Sequence, residues 1–294
     1  MLKSLGHVSK VGPSLGSFSM SAEMLRALSH EFQSELKQKV GKFDTDPHFW
    51  MPMTLSKNDY EKLMVGKGVL LNTATSHYER ISAFKKSFSD ANKGMGLFGA
   101  VDVGSDACWW DYGQLKLYAR NNLKMLEESK DASLLRAFMG VTSRVMDSSC
   151  GEAKVDSASC VFSSHVLEGS ITGSILSKVD CNSITSEGSI LVNVSASKIC
   201  VGKGSIVYNI IDDSEEGIIV NDGEVLVGVF DKEGNSMKVK SGISVDGSKA
   251  WKEIVMGNTS SFEDIHVANK NANVTVIEDI RTANHIATAK KFSA

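Results

Sequence analysis

Several absences narrow the possibilities for this sequence. No sign of charge prevails: 32 Lys and Arg face 35 Asp and Glu across 294 residues, a formal net charge of −3. The chain therefore has no general electrostatic footprint for nucleic acid or for an anionic membrane. No apolar run approaches the roughly 18–20 residues of a membrane span. The stretch Met1 to His7 lacks the apolar core of a secretory signal. None of the five cysteines (Cys108, Cys150, Cys160, Cys181, Cys200) forms a CxxC pair. An odd, scattered set reads as reduced thiols. The expectation is a soluble intracellular protein, of the cytoplasm or an organelle. The 42% hydrophobic content excludes a disordered chain, and this length can bury a substantial core with room for two domains.

What is present falls into two patterns. To about residue 147, helical and strand-like segments alternate. Ser21 caps an expected helix to about Lys39, with Met24, Leu25, Leu28, Phe32 and Leu36 on one face. Further helices are expected at 59–64, 78–88 and 115–128, and a short glycine-bounded strand at 97–103. Interleaved elements of this kind predict a layered α/β domain. From 148 to about 230, single aliphatics recur every 4 to 7 residues among small and polar ones, from Val155 through Ile206. Gly-Ser-Ile recurs at 169, 188 and 204. This loose six-residue period predicts a β-helix with three hexapeptides per coil, rather than a sandwich of longer strands. Asp231 to Asn235 is an expected turn. Residues 231–294 are an expected capping tail, with helical pieces at 249–255 and 261–265.

The richest chemistry lies in Trp109-Trp110-Asp111-Tyr112-Gly113, running into a helix through Tyr118 and Asn122. A carboxylate beside glycine at a helix entry can hold a hard cation over phosphates. The segment resembles the W-x-D-x-G-x-x-x-x-Y-x-x-x-N signature of sugar-1-phosphate nucleotidyltransferases, matched in order by Trp109, Asp111, Gly113, Tyr118 and Asn122. The resemblance implies the C-terminal part of an α/β nucleotidyltransferase-type domain followed by a left-handed parallel β-helix. It also implies Mg²⁺ held by Asp111, and a nucleoside triphosphate and a sugar 1-phosphate as substrates. Gly16, Ser17, Trp110 and Gly113 become candidate substrate-binding positions. The family's glycine-rich nucleotide loop, L-A-G-G-x-G-T-R-L, has no counterpart in this sequence. A fragment or half of such an enzyme is therefore expected. The alternative is a non-catalytic scaffold or regulatory subunit of that descent, forming homo- or hetero-oligomers through the β-helix without nucleic acid or membrane. A hexapeptide-type acyltransferase, with His165 as base, is a third reading. The sugar and the base are left open.

Other polar groups have plainer readings. Asp44, Asp46 and His48 read as a turn around Pro47, and His165 as a surface histidine. Asp212-Asp213-Ser214-Glu215-Glu216 reads as a solvated loop at the solenoid edge.

Overall fold

The structure, a computed structural model, describes residues 12, 14–38, 44–104, 108–231 and 233–292. The chain divides into two compact units, Met1–Ala107 and Cys108–Ala294.

The described part of the first unit is helical. Helix α1 (Ala22–Glu31) starts where Ser21 accepts a hydrogen bond from the Met24 N–H, and α2 (Gln33–Gln38) continues it. A π-helical turn, Asp46–Trp50, begins at Pro47 and runs into α3 (Met51–Thr54). Asp44 Oδ1 accepts from Asp46 N at 3.1 Å on the approach, and the turn expected around Pro47 is instead this helical segment. Helix α4 (Lys57–Gly66) is capped by Ser56, and α5 (Leu71–Ala91) packs against α1, α3 and α4. Phe32, Phe49, Met53 and Ile81 form the buried centre.

The strand expected at 97–103 does not form, and no strand forms among the described residues of this unit, so the layered sheet is not found there. A lone extended segment has no neighbour for its backbone groups. Val101 is 87% exposed, and Gly104 N turns back onto Asp102 Oδ1.

The second unit opens with α6 (Leu115–Leu123), a 3₁₀ turn at Lys124–Leu126, and α7 (Lys130–Phe138). It then forms a parallel β-solenoid of about six turns. Its strands are β1 (Val145–Met146), β2 (Lys154–Val155), β3 (Cys160–Phe162), β4 (His165–Thr172), β5 (Ile175–Glu187), β6 (Ile190–Val201), β7 (Ile206–Tyr208), β8 (Ile211–Asp212), β9 (Ile218–Val220) and β10 (Glu224–Phe230).

The register corrects the expected coil length. Cys160 stacks on Ile175, Ile175 on Ile190, Ile190 on Ile206 and Ile206 on Val225, giving rungs of 15, 15, 16 and 19 residues rather than the 18 of three hexapeptides. Strands β5 and β6 pair in three stretches, starting at Ile175, Val179 and Ser183, so each rung has three sides of about five residues. Lys178, Asn193 and Asn209 stack at one corner with φ of 53 to 55°. At Gly169 an added Cβ would lie 1.9 Å from the Ile184 carbonyl oxygen, so only glycine fits against the next rung. Residues 213–216 of the acidic run form the edge loop that lengthens one rung to 19 residues, whereas Asp212, expected in that solvated loop, is a buried residue of β8.

Alternation within each side builds the core. Val161, Leu176, Leu191, Val207 and Leu226 stack inward, all at 4% exposure or less, and each such burial stabilises by about 1.5–3 kcal/mol. Serines at one corner of the rungs are buried with partners. Ser174 N donates to Ser159 Oγ and Ser189 N to Ser174 Oγ, each at 3.1 Å, and Ser186 Oγ donates to Ser174 Oγ at 2.8 Å.

The solenoid ends in a hairpin. The expected turn at Asp231 to Asn235 carries β10 into an antiparallel β11 (Ser236–Gly242). Lys238 and Lys240 of β11 neutralise the buried carboxylates of Asp212 and Glu224. The Asn258 amide then pairs with both backbone groups of Lys240, closing that position to another strand. Residues 249–255 form turns rather than a helix. Helix α8 (Phe262–Asn269) starts in a capping box of Ser261 and Asp264, and α9 (Val274–Ala289) lies against β6 and β8.

Candidate functional site

The signature segment is absorbed into packing. The first side of the solenoid turns an apolar column outward (Cys160, Ile175, Ile190, Ile206, Val225), and α6, the 3₁₀ turn and α7 bury it with Ala119, Met125 and Leu135. Trp110 and Tyr118 pack against this same cluster, while Trp109 is 49% exposed. Asp111 Oδ1 accepts from Gly113 N at 2.7 Å, an Asx turn that sets the chain into α6. The Asp111 carbonyl accepts from the buried Asn121 amide at 2.6 Å, and the Asn122 amide bonds Tyr118 O within the helix. A Cβ on Gly113 would sit 3.1 Å from Asp111 Oδ1, so glycine admits the tight turn.

One oxygen of Asp111 is therefore already engaged. Among the described residues no group of three or more His, Cys, Asp or Glu assembles as a metal site. A magnesium ion would find Asp111 without such a set, and no chemical step is derived through it. Gly16 and Ser17 lie in the first unit, both exposed, with Gly16 N bonded to Ser14 Oγ at 3.2 Å.

The second side carries a polar cluster that only the folded chain brings together. Asp180 faces outward between His165 on the rung before and Ser195 on the rung after. Its Oδ1 meets His165 Nδ1 at 2.8 Å and its Oδ2 meets His285 Nε2 of α9 at 2.7 Å. Burial pushes the Asp180 carboxyl upward, but the hydrogen bonds from His285 and His165 outweigh it and hold the group below the usual carboxylate range. Arg281, His285 and Thr288 share the α9 face turned to the solenoid; Arg281 and Thr288 are buried there.

Ser195 Oγ and His285 Nδ1 are buried without hydrogen-bond partners among the described residues. Neighbouring Cys181 is no nucleophile: burial, and then the Asp180 charge, push its thiol up to about 12. The geometry makes this cluster a clasp between α9 and the solenoid, joining positions 105 residues apart. Nothing local to His285 in the sequence points to Asp180.

The third side is different. Its outward column runs through Ser170, Thr185, Cys200 and Ile219, stacked in register; Thr185, Cys200 and Ile219 are exposed, Ile219 to 69%. A shallow concavity of about 570 Å³ on this side is bordered by Glu187, Lys203 and Asp222. Compared with known protein families, with curated proteins and with solved structures, the chain matches none.

Proposed function

We propose that this chain is a non-catalytic assembly protein that associates through the third side of its solenoid. The supporting observation is the contrast among the three sides. One is buried by α6 and α7, one is clasped by α9, and the third presents a column in register from Ser170 to Ile219, exposed at Thr185, Cys200 and Ile219. A regular ladder of strands is stiff and offers wide contact area with little ordering cost on association. Glu187 and Lys203, opposite charges on successive rungs, can be exchanged between two copies about a two-fold axis.

Sedimentation equilibrium of the full chain, beside a Thr185→Arg/Ile219→Arg double variant, tests this reading. Self-association lost in the variant supports it; a wild-type chain that stays monomeric at all concentrations overturns it. The nucleotidyltransferase reading of the signature segment makes a separate demand, magnesium-dependent binding of UTP or GTP. Tight nucleotide binding in calorimetry would reinstate catalysis, and Asp111→Ala would then have to abolish it.

A further inference from the structure

The first unit holds a groove independent of the solenoid. Three stretches far apart in sequence converge on it: Phe18 and Met20 from the lead into α1, Phe49 and Trp50 from the π-helical turn, and Met95 and Phe98 after α5. Trp50 is the hub. Its ring centroid lies 4.7 Å from Phe49, 5.5 Å from Phe98 and 5.8 Å from Phe18, the last edge-on. Phe49 is anchored in the core at 5% exposure, whereas Phe18 and Phe98 stand 64% and 44% exposed at the opening. The anchored ring thus forms the floor of the groove and the exposed ones its rim. Phe49 and Trp50 lie on the π-helical turn, a rare geometry found often at functional sites.

The lining defines the ligand. No charged side chain lines the groove among the described residues. Two of its hydroxyls are already engaged: Thr54 Oγ1 donates to Trp50 O at 2.6 Å, and Ser21 Oγ accepts from Met24 N and donates to Met95 Sδ. Ser19 supplies the third hydroxyl of the lining, and the rest of the recognition falls to dispersion and ring geometry, for which aromatic faces and thioethers suit a planar ring. The volume is about 460 Å³. A cavity of about 150 Å³ accommodates benzene, so the groove has room for two or three rings.

We propose that this groove binds an uncharged aromatic small molecule of two or three rings. Titration of the full chain with the uncharged three-ring probe N-phenyl-1-naphthylamine tests it by fluorescence. The expected result is saturable one-to-one binding, weakened about tenfold in Phe18→Ser and in Phe98→Ser, and displaced by naphthalene but not by dodecanol. Far-UV circular dichroism confirms that each variant folds, and Met95→Lys, which sets a charge in the groove from a half-exposed position, must also weaken the probe. Non-saturable binding, affinity unchanged in all three variants, or preferential displacement by dodecanol would overturn the proposal.

Discussion

Removing the Asp180 carboxylate by Asp180→Ala tests how α9 is held. The native carboxylate accepts from His165 at 2.8 Å and from His285 at 2.7 Å. The two losses are unequal. His165 is 63% exposed along its side chain and regains its bond from water; His285, at 13%, is left with a buried donor unmet. Losing a charge-assisted bond and stranding its partner costs about 2–3 kcal/mol, which is about 30- to 150-fold in the equilibrium between docked and open α9. Amide hydrogen exchange, followed by mass spectrometry on peptides spanning 275–289, reads that ratio directly. The acceleration should be confined to α9, because the inward columns of the solenoid are untouched. The pH dependence has a definite sign. With the native carboxyl held below its ordinary 3.8, the clasp is complete above that value and is lost as the pH falls through the depressed one. Wild-type α9 should thus stay protected at pH 5 and loosen only in stronger acid. Exchange of α9 in Asp180→Ala within threefold of wild type at neutral pH would refute the clasp and leave α9 held by its remaining contacts.

Two further outcomes follow from the solenoid. Leu191→Ala, deleting a fully buried member of the inward column, should cost about 3–4 kcal/mol in urea unfolding, whereas Thr185→Ala on the exposed third side should change stability by less than about 0.5 kcal/mol. Glu224 is buried, yet hydrogen bonds from Asn221 and Lys240 outweigh desolvation and hold its carboxyl below the ordinary value; its contribution is therefore present at neutral pH and disappears in acid. Glu224→Gln should be less stable than wild type by about 1–2 kcal/mol at pH 7, and the difference should shrink as the pH falls below the ordinary carboxylate value and through the depressed one, as measured by unfolding across that range.

The solenoid was legible in the sequence because small and polar residues separate single aliphatics, yet its period was not. The recurring aliphatics mix two columns. Val161, Val179 and Ile184 point inward, while Ile175, Ile190 and Ile206 point outward and are buried under α6 and α7. Counting both sets as one column stretches an apparent six-residue spacing over sides of about five. The Gly-Ser-Ile echo misled in the same way. Gly188 and Gly204 are stacked neighbours, but Ser170 pairs with Thr185 on another side, and the true third member is Gly173-Ser174-Ile175. The helices capped by Ser21, Ser56 and Ser261 carried local signals that a sequence states outright. The strand at 97–103 had the right residues and no partner strand, which composition does not reveal. Neither the clasp nor the aromatic groove could be read, since each joins side chains separated by dozens of residues.

The outward columns explain which sides of the solenoid are covered and by what. A side whose exterior is Cys160, Ile175, Ile190, Ile206 and Val225 would leave a continuous apolar stripe in water, and two helices with matching apolar faces remove it. The Trp110 and Tyr118 spacing of the signature segment is what lets one turn and one helix reach that stripe together, so packing alone accounts for both residues. The second side, with His165, Asp180 and Ser195 outward, is polar instead, and α9 meets it with His285, whose ring bonds the Asp180 carboxylate, beside the buried Arg281 and Thr288. On the third side the column passes from Ser170 and Thr185 to Cys200 and Ile219, and neither kind of cover from the second unit lies on it. In the proposed two-fold pairing Glu187 of one copy would meet Lys203 of the other, and the same two charges would meet again on the far side of the axis.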